Sequence, residues 1–210
     1  MNEFLAAAMS FLAQLFNGSM GWAILALALA VRLALLPLTL HLSRKMLANQ
    51  KKIKALQPQV DAIKQRLADR PQEMLKEMAA LYKANGAHLL DRSSLLGGLL
   101  QWPVFALLYK AIGNASAGAG SFLWIRNLAS PDVLLTALVL LFTAVSAWYF
   151  PSENGAAVFM VAVQVLVTAF IVWKLASGVG LYWAASAFVG LLQTLLLRVE
   201  QSRLARQAAA

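Results

Sequence analysis

Apolar residues collect along the chain in five stretches, at approximately 20–40, 93–112, 132–150, 156–174 and 179–197. A helix needs about 20 apolar residues to cross a hydrocarbon core of roughly 30 Å, so each stretch predicts a membrane-spanning helix. Residues 1–18 follow a different pattern. Phe4, Leu5, Ala8, Met9, Leu12, Leu15 and Phe16 recur at helical spacing, with Asn2, Glu3, Ser10, Gln14 and Asn17 elsewhere. This predicts a short amphipathic helix in the membrane interface, ended by Gly18-Ser19. Residues 41–92 are polar yet periodic: Leu42, Met46, Ile53, Leu56, Val60, Ile63 and Leu67 recur among basic and amide side chains, and Met74, Leu75, Met78, Leu81 and Tyr82 do so again. The pattern predicts a helical hairpin in water, with Pro71 in the first turn of its second helix, Asn85-Gly86 as the stop, and Pro58 kinking or splitting its first helix. Residues 113–131 read as a loop, a Gly/Ala/Ser-rich linker followed by the aromatic stretch Phe122-Leu123-Trp124-Ile125. Short connections at 151–155 and 177–180 make the last three spans antiparallel neighbours.

Charge gives these helices an orientation. The chain is 60% hydrophobic and 13% charged, too apolar for a soluble domain, and carries 18 Lys plus Arg against 9 Asp plus Glu. Segment 41–92 holds 11 of the basic and 5 of the acidic residues, and the tail 198–210 adds Arg198, Arg203 and Arg206. Five spans put those two regions on one side, which the positive-inside rule assigns to the cytoplasm, leaving the N-terminus outside. Lys110, Arg126 and Lys174 then fall near the outer face. The charge is thereby accounted for without nucleic acid, and Tyr82 is the only aromatic in the hairpin that could stack on a base, so DNA is not an expected partner. The start, Met1-Asn2-Glu3-Phe4, lacks the basic region of a secretory signal, so the first apolar helix is expected to stay in the mature protein.

The residue a bilayer tolerates least is Arg32, in Val31-Arg32-Leu33-Ala34-Leu35-Leu36-Pro37. It lies about eight residues from the cytoplasmic end of its span, hence roughly 12 Å deep, where insertion scales charge about 2.5–3.5 kcal/mol for arginine. Apart from Asp132, which opens the third span at its outer end, no Asp or Glu lies in any span to neutralise it. A hydrated cavity open to the cytoplasm accounts for the cation better than snorkelling or a packing role. Gln101, Thr136, Thr143, Ser146, Gln164, Thr168, Ser186, Gln193 and Thr194 are the other polar groups at membrane depth. Singly such residues join helices; together they are candidates to line one concavity with Arg32. Nothing here makes an enzyme. There is no cysteine, no Ser-His-Asp order, no pair of intramembrane carboxylates and no phosphate-binding glycine loop, and His41 and His88 lack metal-site spacing, so neither cofactor nor metal is expected.

Several segments, in order, resemble the YidC/Oxa-type membrane protein insertases. The first span, with Gly21-Trp22 and Val31 to Leu38, is similar to the family's arginine-containing span. Ala55-Leu56-Gln57-Pro58 and Met78 to Lys83 resemble its cytoplasmic hairpin, and Leu100 to Phe105 with Leu108-Tyr109 its second core span. Phe122 to Ile125 with Pro131-Asp132 resembles its external connection, and Gly180-Leu181-Tyr182-Trp183 the start of its last span. The resemblance implies an all-α integral membrane protein of the bacterial inner membrane, five transmembrane helices around a hydrophilic groove open to the cytoplasm. The groove would receive polar segments of client membrane proteins and release their hydrophobic segments into lipid, with Arg32, Gln101, Ser146, Gln164, Thr168, Trp183 and Gln193 as its client-binding residues. The hairpin would capture clients through Met46, Ile53, Met74, Met78 and Tyr82. Anionic lipids, the ribosome and the Sec translocon are the further partners expected.

The resemblance is to a compact member, expected to be without the family's large periplasmic domain, and the chain departs from the family's pattern at two places. Where many members carry a pair of glutamines at the end of the third span, this chain has Ser146-Ala147-Trp148-Tyr149, and Leu175-Ala176-Ser177-Gly178 stands where Phe-Pro-Ala-Gly is common. The same residues also fit a small anion transporter, which needs a path through both leaflets, or an assembly scaffold, which needs the hairpin more than the arginine.

Overall fold

The computed structural model describes residues 2–88, 106, 109–116, 120–150 and 157–209. Every regular element among them is helical: α1 (Asn2–Leu15), α2 (Met20–Ala55), α3 (Gln57–Arg66), α4 (Pro71–Ala84), α5 (Val133–Tyr149), α6 (Ala157–Val172) and α7 (Ser177–Ala209). Residues 109–116 are helical as well, so the helix expected to stop at 112 runs on to 116. Two helices, α2 and α7, contain stretches long and apolar enough to cross a membrane, with mean hydropathies of 2.3 and 1.5. Helix α5 and the described apolar part of α6 are shorter. Leu33, Leu141, Trp148, Leu166, Phe170 and Leu196 are all more than half exposed, an apolar surface suited to lipid rather than water.

The chain divides into two compact units, one of Met1–Pro37, Gln101–Pro151 and Gly155–Ala210, the other of Leu38–Leu100 with Ser152–Asn154. The division falls inside α2, which continues unbroken past the expected end of its span at residue 40. Pro37 sits in its interior and removes the amide that would bond the Leu33 carbonyl, yet the helix runs through it. In the same way α7 continues from the span 179–197 into the tail as one helix.

In the first unit, Ile24 and Ala28 of α2, Ile112, Leu135 and Val139 of α5, and Val179, Leu181 and Tyr182 of α7 form one buried cluster with Phe122, Ile125 and Leu128 of the loop. All belong to the end at which α2, α5 and α7 begin, here the loop end. The loop is folded onto the helix ends by hydrogen bonds. Phe122 and Ile125 exchange both backbone bonds at 2.8 Å, and the Ser130 and Leu128 carbonyls accept from the Ser177 and Gly178 amides at 3.0 and 2.9 Å, satisfying donors that the first turn of α7 leaves free. Asp132 caps α5 by accepting from the Leu135 amide at 2.7 Å, and accepts from the Trp124 indole at 3.2 Å. Close approach needs glycine at two positions: a Cβ at Gly178 would lie 1.9 Å from the Ser116 hydroxyl, and one at Gly21 would lie 2.1 Å from the Phe122 ring.

In the second unit, α2 ends at Ala55, and α3 starts with Pro58 in its first turn, so the proline marks a split. Helix α4 begins at Pro71 and is ended by Asn85 and by Gly86 at φ +58°. The chain after α4 returns to α2, where the Asn49 side chain donates to the His88 carbonyl at 2.7 Å and accepts from its amide at 2.9 Å.

Candidate functional site

Ile24, Ala28 and Arg32 follow one another at intervals of four on α2, so Arg32 extends the stripe whose first two members are fully buried. Arg32 itself is half-buried, and its Nε is shielded from solvent and has no hydrogen-bond partner among the described residues. Tyr182 of α7, 2% exposed, lies within electrostatic range of the guanidinium. One turn further along α7 is Ser186, 3% exposed, whose hydroxyl also finds no partner among the described residues. Gln193 follows seven residues on from Ser186, about 20° round from Tyr182 when whole turns are completed, and so shares that face. Buried polar atoms without partners are rare because each costs about 1–3 kcal/mol, so the Arg32 Nε and the Ser186 hydroxyl, unpartnered among the described residues, each mark a position suited to something polar.

The other polar residues nominated from sequence divide. Ser146 of α5 and Thr194 of α7 share a hydrogen bond of 3.0 Å that joins the two helices away from the loop end. Thr143 and Thr136 donate to carbonyls of their own helix or its cap, Val139 and Asp132, at 2.8 Å. Thr168 is buried on α6, whereas Gln164 is exposed. Trp183 is half-buried and packs against the loop-end cluster. Gln101 lies outside the described residues. Sequence reasoning missed Tyr182 as a neighbour of Arg32, having chosen the adjacent Trp183; the signal available was a phenol inside a span, since a buried tyrosine hydroxyl usually needs a polar partner. It also missed Arg198, whose guanidinium stands 4.8 Å over the Tyr149 ring.

Of the five hairpin residues expected to capture clients, three belong to the packing of the hairpin itself. Tyr82, 5% exposed, is in the core of the second unit with Leu56, Val60 and Ala87, and Ile53 and Met78 pack against that cluster. Packing accounts for these three, because an isolated helical pair has no other apolar material to bury. Met46 and Met74 are half-buried, and Leu75, 63% exposed, is the large apolar side chain that α4 presents to solvent. Between α3 and α4 runs an open cleft of about 560 Å³, floored by Ala62, Ile63, Ala80 and Ala84 and crossed by the Arg66–Glu77 ion pair. Among the described residues no group of three or more His, Asp or Glu is placed to hold a metal.

Comparison with known proteins decides what family this architecture belongs to. The family model described as 60Kd inner membrane protein matches residues 11–203. This chain belongs to that family, the YidC/Oxa-type membrane protein insertases. Among YidC/Oxa relatives, the membrane protein insertase YidC 1 of Streptococcus pyogenes serotype M1 is 32% identical over 209 residues, covering 91% of this chain and 74% of the relative. The membrane protein insertase YidC 1 of Lactiplantibacillus plantarum is 29% identical over 213 residues, 96% of this chain and 69% of the relative. The fold also matches a solved structure described as an active YidC insertase crystal structure with the first transmembrane domain resolved, at a TM-score of 0.67 and 30% identity. That match covers 91% of this chain and 44% of the solved one. The YidC relatives are bacterial inner-membrane proteins that act on client membrane proteins.

Proposed function

We propose that this chain inserts client membrane proteins by offering their polar segments a hydrated groove that contains Arg32, is open to the cytoplasm and is closed to the outside. The observation that carries this reading is the difference between the two ends of the first unit. The loop end is filled by the buried cluster of Phe122, Ile125, Leu128, Leu135 and Val179, while the polar side chains Arg32, Ser146, Ser186, Gln193 and Thr194 lie farther along the same helices. In this reading five spans, at 20–40, 93–112, 132–150, 156–174 and 179–197, place the N-terminus and residues 113–131 outside, and the hairpin 41–92 and tail 198–210 in the cytoplasm. The charge distribution supports that orientation.

The mechanism needs no covalent chemistry. A polar client tail entering lipid loses its hydration, at several kcal/mol per uncompensated group. A wet inner half removes most of that cost and shortens the hydrophobic distance left to cross, while the client's apolar segment moves into lipid beside it. Arg32, with no carboxylate in the interior of any span, is the fixed positive charge that attracts acidic residues of the tail. Tyr182 would orient the guanidinium, and Gln101, Gln164, Thr168, Trp183 and Gln193 are the remaining proposed lining. Leu75 and the alanine-floored cleft of the hairpin are the surfaces left for first contact with a client, since Tyr82 is buried. The basic tail suits ribosomal RNA or anionic lipid, and the Sec translocon is a further proposed partner.

In proteoliposomes, Arg32→Ala should slow insertion of a client with an acidic translocated tail about five- to tenfold, with Arg32→Lys retaining most of the rate. Unchanged insertion in Arg32→Ala would remove Arg32 from the mechanism. An anion transporter needs a path through the end that the cluster fills. Single cysteines replacing Ile24 or Val139 should therefore resist water-soluble maleimides, and rapid labelling would favour transport.

A further inference from the structure

A cleft of about 260 Å³ lies at the loop end, between α1, the start of α2 and residues 109–116. Met9, 1% exposed, and the half-buried Met20 form its apolar floor with two alanines. Its mouth carries Lys110, Asn114 and Ser10, all exposed. One cation and two neutral hydrogen-bonding groups over an apolar floor match an amphiphile, an anion with hydrocarbon attached. Two other observations point the same way. Helix α1 buries Met9 and Ala13 but leaves Phe11, Leu15 and Phe16 exposed, an apolar surface continuous in sequence with the cleft wall. Lys110 also runs against the charge distribution, in which 14 of the 18 basic residues fall in 41–92 and 198–210. Of the basic residues near the outer face, Lys174 stands over the Phe170 ring, whereas Lys110 stands at the cleft.

We propose that this cleft binds the phosphate headgroup of an anionic phospholipid of the outer leaflet, with Lys110 pairing the phosphate and Asn114 and Ser10 hydrogen-bonding its oxygens. The glycerol and upper acyl carbons then lie against Met20 and the exposed side chains of α1. A lipid held there seats the amphipathic helix on the loop end. The assignment of leaflet rests on the orientation proposed above, with α1 outside. The phosphate could also come from a free anion, which would have no use for the methionine floor.

The full-length protein in a neutral detergent is titrated with phosphatidylglycerol, phosphatidylcholine or inorganic phosphate, and bound species are counted by native mass spectrometry. Phosphatidylglycerol should be retained in preference to phosphatidylcholine. Lys110→Gln should weaken its retention about fivefold, Asn114→Ala by less, and Lys110→Arg hardly at all. Equal retention by Lys110→Gln, or no preference over phosphatidylcholine, overturns the site. Competition by inorganic phosphate at millimolar concentration overturns the lipid in favour of a free anion. An Asn2→Cys residue that reacts with impermeant maleimide only from the cytoplasmic side overturns the leaflet. Insertion by the Arg32 variants is a separate readout, so a failed lipid site and a failed insertase reading are told apart.

Discussion

The two units put the same helical periodicity to opposite uses. In the hairpin, Leu56, Val60 and Tyr82 are the buried stripe, and basic and amide residues face outward. In the first unit, beyond the loop end, the outward positions are Leu141, Trp148, Leu166 and Leu196, while Thr143, Thr168, Ser186 and Thr194 are buried. The solvent accounts for the inversion: water drives apolar groups together, whereas hydrocarbon offers them no such drive and leaves packing and polar contacts to join helices. A residue type therefore carries different information in each unit. An apolar residue in the hairpin is first a core residue, and a polar residue in a span is first a helix-joining one, until its geometry leaves an atom without a partner among the described residues, as at Arg32 and Ser186.

The largest effect should come from treating a hairpin core residue as if it were a client contact. Tyr82→Ala removes a buried aromatic ring and should cost the second unit about 3–5 kcal/mol. Hydrogen exchange along α3 and α4 in the full-length protein would rise by two orders of magnitude or more, and Tyr82→Phe would restore protection. Protection unchanged in Tyr82→Ala, with client cross-linking to the hairpin lost, would return Tyr82 to the capture surface and break the comparison.

That case shows what the sequence makes legible. The two long apolar helices, the helical hairpin and the split at Pro58 could be read because hydrophobicity and proline act locally. The ends of α2 and α7 could not. The composition changes near residues 40 and 197, but the helices do not end there: α2 runs through Pro37 to Ala55, and α7 continues to Ala209. Arg32 was legible because arginine at that depth is costly wherever it points. The roles of Ser146 and Tyr82 were not, because facing depends on the partner helix. The pairing of Ser146 with Thr194 spans 48 positions, and no local pattern announces it.

A change at the loop end should come next in size. Gly178→Ala drives a methyl group into the Ser116 hydroxyl, which now donates to the Ile112 carbonyl at 2.7 Å, and brings it 3.2 Å from the Ile24 side chain. Overpacking of this kind costs about 1–3 kcal/mol. The loss should appear as a lower thermal midpoint in detergent, together with faster maleimide labelling of a cysteine at Val139. Pairing Gly178→Ala with Ser116→Gly should recover most of it. A lower midpoint with no gain in labelling would mean that this contact stabilises the unit without sealing its outer end.

The smallest effect should lie where α5 and α7 meet away from the loop end. Ser146 and Thr194 hydrogen-bond there, and Arg198 covers Tyr149, so two contacts hold this pair of helices together. Interhelical hydrogen bonds in membranes average about 0.6 kcal/mol, because the unfolded segment finds other partners. A double-mutant cycle of Ser146→Ala and Thr194→Val should return a coupling of that order, with insertion scarcely altered. If the pair is a fixed wall, a disulfide between cysteines at 146 and 194 should leave insertion intact. If the client passes between α5 and α7, the same disulfide should stop insertion while changing stability little, and the polar residues of α5 would then belong to the client path.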